Sequence, residues 1–222
     1  MKKVKIIYGH DTLCGWCFGF TPTLDAFVAA HPDIEIDVIP GGLIKGDRVG
    51  SYADMAGYVA QAEVKMTAVT GRAIGQPFRD MLQQEDAPLS ISAPPSLAIL
   101  QMKKLAPGRA LEFAHILQDA HFLNGKDLNL AATYDEICDA HGFPGLDTAA
   151  IIAATEETPE VAASYNESAM LGIQSYPTIL LIDEEDTVFG QIDSIYDLDA
   201  FTERFYQVVE TKIAGDIRAT LS

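Results

Sequence analysis

Patterns typical of β-strands occur only at the two ends of this sequence, and this arrangement limits the possible folds more than any other feature. Near the start, residues 4–8 form a β-branched and aromatic run, and residues 34–39 alternate apolar with polar side chains. Near the end, Thr178–Ile182 and Val188–Ile192 flank an acidic turn and predict a hairpin. Between them, from about residue 51 to Gly172, apolar residues recur with helical spacing.

The order of these patterns predicts an α/β protein with a thioredoxin-like fold. A predicted helix over residues 14–30 joins the first two strands, and such a βαβ unit is right-handed with parallel strands. A last helix, capped by Asp197, follows the strand pair. The βαβ and ββα units together complete a thioredoxin-like layer. We therefore assign residues 1–50 and 172–222 to a thioredoxin-like domain and residues 51–171 to a large, all-helical insertion domain that forms a lid.

Residue types inside the insertion mark the ends of its helices. Gly71 and Gly142 are predicted to end helices in the left-handed conformation that glycine adopts readily. Asp147 is a predicted N-cap, and Pro159 is suited to the first position of a helix because its missing N–H has no partner there.

Charge excludes several classes of partner. The 222 residues include 15 Lys and Arg against 32 Asp and Glu, so the formal net charge is −17. Such a chain repels nucleic-acid phosphates and anionic membrane surfaces. The basic opening lacks the hydrophobic run of a signal peptide, and no stretch approaches the roughly 20 apolar residues of a membrane span. We therefore expect a cytoplasmic protein with neither nucleic-acid nor membrane partners.

Two of the three cysteines are three residues apart where the first strand gives way to a helix. The motif is Cys14-Gly15-Trp16-Cys17. Cys14 is expected at the N-terminus of the helix, where unpaired amides and the helix dipole favour a thiolate. Cys17 lies one turn further in and is placed to resolve a mixed disulfide formed by Cys14. The predicted chemistry is thiol–disulfide exchange.

The alternative for this pair is half of a metal site. Cys138 would then supply a third ligand and a histidine the fourth, as a closed zinc site requires four. We favour redox chemistry, with no metal, because of the strand-to-helix position. Cys138 itself lies at helical spacing with Tyr134 and Ile137, so we interpret it as a buried small hydrophobic residue.

A proline at the start of a later strand adds to this interpretation. Pro177 follows Tyr176 immediately before Thr178–Ile182, and a proline at the first residue of a strand needs a reason. We predict that the Tyr176–Pro177 bond is cis, with an ordinary trans bond as the alternative. In thioredoxin-like folds this turn faces the cysteine pair and leaves backbone available to pair with an extended substrate.

Together these motifs resemble the DsbA family. The resemblance covers essentially the whole chain, including the helical insertion, and is strongest to the cytosolic branch of predicted protein-disulfide isomerases, near the FrnE-like proteins. It rests on four segments, which are Cys14-Gly15-Trp16-Cys17, Pro22, Gly41-Gly42-Leu43 and Leu171-Gly172-Ile173-Gln174-Ser175-Tyr176-Pro177-Thr178.

The resemblance implies a thioredoxin fold with a helical domain over the active site and Cys14 as the nucleophile. Cys17 is then the resolving thiol and Pro177 is cis, while substrate contacts are expected at Gly15, Trp16 and Tyr176. Electrons would move through the dithiol, so no metal or organic cofactor is expected. The implied partners are protein or peptide thiols and disulfides, with glutathione as a further thiol.

Two positions depart from the periplasmic members of that family. No histidine lies between the cysteines to stabilise the Cys14 thiolate, because the dipeptide is Gly-Trp. The position six residues before Cys14, which holds a buried acid in that branch, is Tyr8. Both departures argue against a strongly oxidising dithiol.

Several polar residues receive structural interpretations. We expect Asp11 to form an Asx turn, with proton transfer to or from Cys17 as the alternative. His10 is interpreted as a solvated loop residue, with a proton shuttle as the alternative. Trp16 is expected to be partly exposed, where it contacts substrate, packs against the lid or does both. The six-residue spacing of His115 and His121 does not suit a metal site, so these are interpreted as packing or surface residues.

The sequence thus predicts a protein-disulfide oxidoreductase or isomerase. Two alternatives remain open. One is a thioredoxin-like adaptor that binds clients without catalysis. The other is a glutathione-dependent enzyme like the kappa-class transferases and hydroxychromene-carboxylate isomerases, although those relatives typically carry a serine in place of the cysteine pair.

Overall fold

A mixed β-sheet built from both ends of the chain is the centre of this protein. The structure is a computed structural model that describes residues 4–193 and 195–220, with the backbone alone for 216–220. The basic opening at residues 1–3 lies outside these residues. The strands are β1 (Lys5–His10), β2 (Glu35–Pro40), β3 (Gly50–Ser51), β4 (Leu89–Ser90), β5 (Thr178–Ile182) and β6 (Val188–Ile192). The α-helices are α1 (Gly15–Ala30), α2 (Tyr52–Thr70), α3 (Gln76–Met81), α4 (Ala93–Leu105), α5 (Ala110–Phe122), α6 (Ala131–His141), α7 (Thr148–Ile152), α8 (Pro159–Met170) and α9 (Leu198–Thr220).

Four strands form the main sheet in the order β2-β1-β5-β6. β1 and β2 are parallel and are joined through α1, whereas β5 is antiparallel to both β1 and β6. Tyr8 of β1 lies opposite Val38 of β2 and Ile179 of β5. The α/β prediction and the βαβ…ββα order of a thioredoxin-like fold are therefore confirmed.

The helix ends follow the predicted residue types. Gly71 and Gly142 follow α2 and α6 with φ angles of 71° and 62°, which a side chain would disfavour. The Asp147 carboxylate accepts a hydrogen bond from the Ala150 N–H and caps α7. Pro159 is the first residue of α8. These four predictions are confirmed.

A proline inside α1 is compensated by the insertion. Pro22 has no N–H, so the carbonyl of Phe18, four residues earlier, lacks its usual helical donor. The Arg72 guanidinium donates a hydrogen bond to this carbonyl at 2.7 Å, lies 3.8 Å above the Phe18 ring and forms an ion pair with Asp119 of α5. Arg72 therefore connects α1 to the helices that cover it.

The insertion is helical apart from one short ladder that the sequence did not predict. β3 and β4 pair antiparallel, with Gly50 opposite Ser90 and Ser51 opposite Leu89. Strands of two residues are too short for an alternating pattern to be visible. The six-residue helix α3 was missed for the same reason, because it spans less than two turns.

The largest hydrophobic cluster contains side chains from the sheet, from α1, from the insertion and from α9. Its largest fully buried members include Tyr8, Phe20, Phe113, Tyr134 and Phe201. The two predicted chain segments therefore share one core. The division into two domains at these boundaries stays a prediction.

Among the described residues, no helix combines the length and apolar character needed to cross a membrane. The same residues contain no group of three or more His, Cys, Asp and Glu side chains that could hold a metal ion.

Candidate active site

Cys14 lies at the junction of β1 and α1. It is the N-cap residue of α1, with extended backbone angles, and its carbonyl accepts a hydrogen bond from the Phe18 N–H at 3.0 Å. Its own N–H donates to the Asp11 carbonyl at 3.1 Å, which closes the turn after β1. The side chain is 5% exposed. The thiol is therefore held beside the positive end of a helix dipole, where an anion is favoured.

The backbone of Tyr176, the residue before Pro177, lies against this cysteine, although it is 162 residues away along the chain. The Cys14 thiol donates a hydrogen bond to the Tyr176 carbonyl oxygen, with a sulfur-to-oxygen distance of 3.3 Å. The Tyr176–Pro177 peptide bond is cis, as predicted. The structure thus brings these predicted site residues together.

Cys17 lies behind Cys14 and is inaccessible to solvent. Its side chain is 0% exposed, and both cysteines are free thiols. Burial, followed by the adjacent Cys14 thiol, raises the pKa of the Cys17 thiol well above its ordinary value. A contact with the Tyr8 side chain acts in the opposite direction. Cys14 is therefore the more accessible of the two thiols.

The loop after β2 is shaped by close contacts to two tyrosines. A Cβ atom at Gly41 would lie 1.8 Å from the Tyr176 hydroxyl oxygen, and one at Gly42 would lie 2.5 Å from the Tyr165 ring. Gly42 also has a φ angle of 69°. Glycine at both positions therefore lets Tyr176 and Tyr165 pack against the backbone beside Cys14.

Asp11 forms the predicted Asx turn. Its Oδ1 accepts a hydrogen bond from the Leu13 N–H at 2.9 Å. Its Oδ2 accepts one from the Leu43 N–H at 2.7 Å, so the same carboxylate ties the loop after β2 to the start of α1. Burial raises the pKa of this carboxyl group, and the backbone hydrogen bonds counteract that shift.

His10 is not the solvated loop residue that the sequence predicted. It is the last residue of β1, opposite Pro40, and it is 0% exposed. Burial lowers the pKa of His10 well below its ordinary value, so the ring is neutral near pH 7. The prediction was wrong because β1 continues two residues beyond the end of its β-branched and aromatic run.

A cavity of about 320 Å³ lies between the start of α1 and the helices of the insertion. Most of its lining is apolar or aromatic, and the charged side chains among the described lining residues are Arg48 and Glu63. Residues that line it on the insertion side include Tyr52, Met55, Tyr58, Val59, Met66 and Phe78. Cys14 is at one wall, so a group that binds in the cavity is adjacent to the thiol.

Gly15 and Trp16 also line this cavity. The Trp16 side chain is partly exposed, as predicted, and its ring centroid is 5.6 Å from that of Tyr196. It also packs against the second hydrophobic cluster, which contains Phe18 and Phe122. The Trp16 side chain is therefore partly exposed and also packed against the insertion.

The remaining sequence candidates are structural. Cys138 is 4% exposed within the main core, as predicted. His121 is buried, interacts with the Tyr52 hydroxyl at 2.9 Å and with the Lys126 carbonyl at 3.1 Å, and burial lowers its pKa to about 4. His115 is buried as well, so neither histidine is a surface residue.

Sequence reasoning missed the cavity wall on α2. Met55, Tyr58 and Val59 follow helical spacing, yet Tyr58 is 71% exposed and Val59 is only partly buried. One feature of the sequence could have indicated this wall. The helix α2 has apolar residues on more than one face, whereas a helix with a single buried face has them on one face only.

No known family profile and no curated protein matches this sequence. Solved structures do match. The cytosolic disulfide reductase DsbM from Pseudomonas aeruginosa is 21% identical, with 93% of this chain and 99% of that chain covered and a TM-score of 0.72. The same protein with GSH gives a TM-score of 0.70 at equal identity and coverage. A proposed protein disulfide isomerase from Nitrosomonas europaea is 16% identical, covers 96% and 99% of the two chains and has a TM-score of 0.72.

These similarities extend over nearly the whole of both chains. They span the helical insertion as well as the sheet, so the whole chain shares the thioredoxin-like fold of these structures. The fold implied by the sequence resemblance is confirmed. Identities of 21% and 16% establish the fold alone.

Proposed function

We propose that this protein is a thiol–disulfide oxidoreductase that acts on protein or peptide disulfides, with Cys14 as the nucleophile and Cys17 as the resolving thiol. The observation that carries the proposal is the position of the Cys14 sulfur. It lies at a helix N-terminus, 3.3 Å from the Tyr176 carbonyl oxygen, with the buried Cys17 thiol behind it. A helix N-terminus favours the thiolate form of a cysteine, and the thiolate is the nucleophile in thiol–disulfide exchange.

The exchange proceeds in two displacements. The Cys14 thiolate attacks one sulfur of the substrate disulfide, which breaks that bond, forms a mixed disulfide and releases one substrate thiolate. The Cys17 thiolate then attacks the Cys14 sulfur, which forms the Cys14–Cys17 disulfide and releases the second substrate thiolate. The substrate gains two electrons, the protein loses two, and the released thiolates take up the protons that the cysteines lost.

Burial sets the order of the two steps. Cys17 is 0% exposed, so an external disulfide does not contact it directly. Its raised pKa keeps it in the protonated form, which is a poor nucleophile, before the mixed disulfide forms. Its adjacent position then makes the second attack intramolecular, and proximity of this kind accelerates a reaction strongly.

The cavity beside Cys14 favours an apolar residue next to the substrate cysteine. Met, Tyr and Phe side chains dominate its described lining and suit an apolar group. Glu63 at the wall is paired with Arg79, and Arg48 donates a hydrogen bond to the Leu43 carbonyl at 3.0 Å. Because glutathione carries two carboxylates and an ammonium group, we assign it the role of recycling thiol and peptides the role of substrate.

Reduction in the cytoplasm is the direction we favour. The similar protein from P. aeruginosa is described as a cytosolic disulfide reductase, and one of its structures contains GSH. Disulfides are unstable in a cytosol that thioredoxin and glutathione keep reducing, so a dithiol there is regenerated after each turnover.

Turnover of insulin or of a peptide with one disulfide tests the proposal. Replacing Cys14 with serine removes the nucleophile, so we expect turnover to fall to the uncatalysed rate. Cys138→Ser is the matched control, because that cysteine is buried in the core and should leave turnover near the wild-type value. A Cys14→Ser variant with wild-type turnover would refute the assignment, and a wild-type protein without turnover would favour the adaptor alternative.

A further inference from the structure

Four polar atoms without hydrogen-bond partners lie together behind Cys17. They are the Tyr8 hydroxyl, both ring nitrogens of His10 and the Nε2 atom of His115, and none has a partner among the described residues. The Tyr8 ring centroid is 5.1 Å from that of His10 and 6.1 Å from that of His115. Buried polar atoms without partners are uncommon, and ordered internal water is the usual partner where several of them face one another.

One end of this cluster contacts the resolving thiol. The Tyr8 hydroxyl lies beside the Cys17 side chain and favours the thiolate form of Cys17, although no hydrogen bond of ordinary distance and angle joins the two groups. Tyr8 lies in the middle of β1 and is 0% exposed. The adjacent Cys14 thiol acts in the opposite direction and raises the pKa of Cys17.

The other end reaches the surface. The His115 Nδ1 atom is 2.7 Å from the Asp25 Oδ1 atom, and the Asp25 side chain is 57% exposed. A carboxylate accepts, so His115 donates through Nδ1, and in the neutral ring Nε2 is then the acceptor. This tautomer directs an acceptor towards the buried cluster and a donor towards solvent.

Cys17 needs such a connection if it resolves the mixed disulfide. Its thiol is completely buried and must lose a proton before it can attack Cys14. Asp11 is the nearest buried acid along the chain, and among the described residues the hydrogen bonds to its two carboxylate oxygens come from the Leu13 and Leu43 N–H groups and not from the Cys17 thiol. The apolar cavity on the other side of Cys14 offers no proton acceptor in direct contact with Cys17.

We propose that Tyr8, His10, His115 and Asp25, with internal water held between the first three, form a path that carries the proton of Cys17 to the protein surface. The proton of Cys17 passes to the Tyr8 oxygen as the Tyr8 proton passes through the water to His115 Nε2. His115 in turn releases its Nδ1 proton to the Asp25 carboxylate and from there to solvent. One proton leaves Cys17 and one reaches solvent, no electrons move along the path, and His10 positions the water. The inference rests on the proposed function, because it concerns the second displacement of that reaction.

A two-phase stopped-flow experiment with dithionitrobenzoate separates the steps. Attack by Cys14 releases the first nitrothiobenzoate at a rate that depends on reagent concentration, and attack by Cys17 releases the second at a rate that does not. We expect Tyr8→Phe, which removes one oxygen atom, to leave the first phase unchanged and to slow the second by about 100-fold, the lower end of general acid–base effects. Asp25→Asn, a change at an exposed carboxylate, is expected to slow the second phase alone by a smaller factor.

Tyr134→Phe is the matched control. That tyrosine is also 0% exposed, but its hydroxyl donates a hydrogen bond to the Leu128 carbonyl at 2.6 Å and not to the Cys14-Gly15-Trp16-Cys17 motif. It should leave both phases at wild-type rates. A second phase in Tyr8→Phe within two-fold of wild type, or equal slowing in Tyr134→Phe, would overturn the path while leaving the proposed function intact. Absence of a second phase from the wild-type protein would instead remove the proposed function and the path with it.

Discussion

At the scale of single residues, the absence of a side chain at position 41 decides where Tyr176 can lie. The Tyr176 hydroxyl occupies the space that a Gly41 side chain would need, and the Tyr176 carbonyl accepts the hydrogen bond from Cys14. Gly41 is also tied to β1, because its N–H donates to the His10 carbonyl at 3.0 Å. A substitution there must therefore move the tyrosine rather than the backbone.

We predict that Gly41→Ala destabilises the protein by about 1–3 kcal/mol, the usual cost of overpacking, and slows disulfide turnover by displacing Tyr176. Gly57→Ala is the control. Gly57 lies inside α2 with nothing within 4 Å of its added Cβ, so alanine there should stabilise the helix by about 0.5–1 kcal/mol. Chemical denaturation measures the free energy of unfolding of both variants, and the disulfide turnover assay measures their activity. A Gly41→Ala variant with wild-type stability and turnover would contradict this account of the loop.

Some of the site residues could be predicted because their evidence is local. Cys14, Cys17 and Pro177 lie at element boundaries that the strand and helix patterns predict on their own. His10 could not be placed, since its burial depends on how far β1 pairs with β2, and pairing is a property of two distant segments. The partnership of His115 with Asp25 likewise joins residues 90 positions apart.

At the scale of elements, α5 belongs to the insertion by sequence but supports the redox site. Gln118 is 0% exposed and its side chain accepts a hydrogen bond from Thr21 of α1 at 3.2 Å. Its amide nitrogen also lies 3.4 Å from the carbonyl oxygen of Cys14. His115, one turn earlier, faces Tyr8. The insertion therefore holds the back of the cysteine motif in addition to covering its front.

The helices were predictable to the extent that their ends carry chemical signals. Gly71, Gly142, Asp147 and Pro159 each mark a boundary through a backbone conformation or a cap that their residue type favours. β3 and β4 carry no such signal, since their two-residue pairing arises only after α2 and α4 have brought the segments together. Tertiary packing thus determined the elements that local reasoning missed.

At the scale of the whole molecule, buried neutral histidines make folding dependent on pH. Burial lowers the pKa of His121 from 6.5 to about 4, and it lowers the pKa of His10 in the same direction. Between pH 6.5 and about pH 4 the unfolded chain binds protons that the folded protein does not. Stability that is present above pH 6.5 is therefore lost as the pH falls towards 4. The raised pKa of Asp11 acts in the opposite sense at the acid end.

We predict that the free energy of unfolding decreases between pH 6.5 and pH 4, with His121 contributing about 3 kcal/mol at 1.36 kcal/mol per pKa unit. The His121→Gln variant should show a shallower decrease over the same range. His141→Gln, at an exposed position on α6, should retain the wild-type slope. Urea denaturation at several pH values measures the slopes, and identical slopes in wild type and His121→Gln would exclude this role for His121.

The proposed reaction requires a covalent link between Cys14 and substrate, and trapping that link shows whether Cys14 forms it. In the Cys17→Ser variant the resolving thiol is gone, so a mixed disulfide with a disulfide-containing peptide should persist. Proteolysis and mass spectrometry of the adduct then identify the modified cysteine. We predict one peptide per chain, attached at Cys14. An adduct at Cys138, or no adduct under conditions in which the wild-type protein turns over, would contradict the claim.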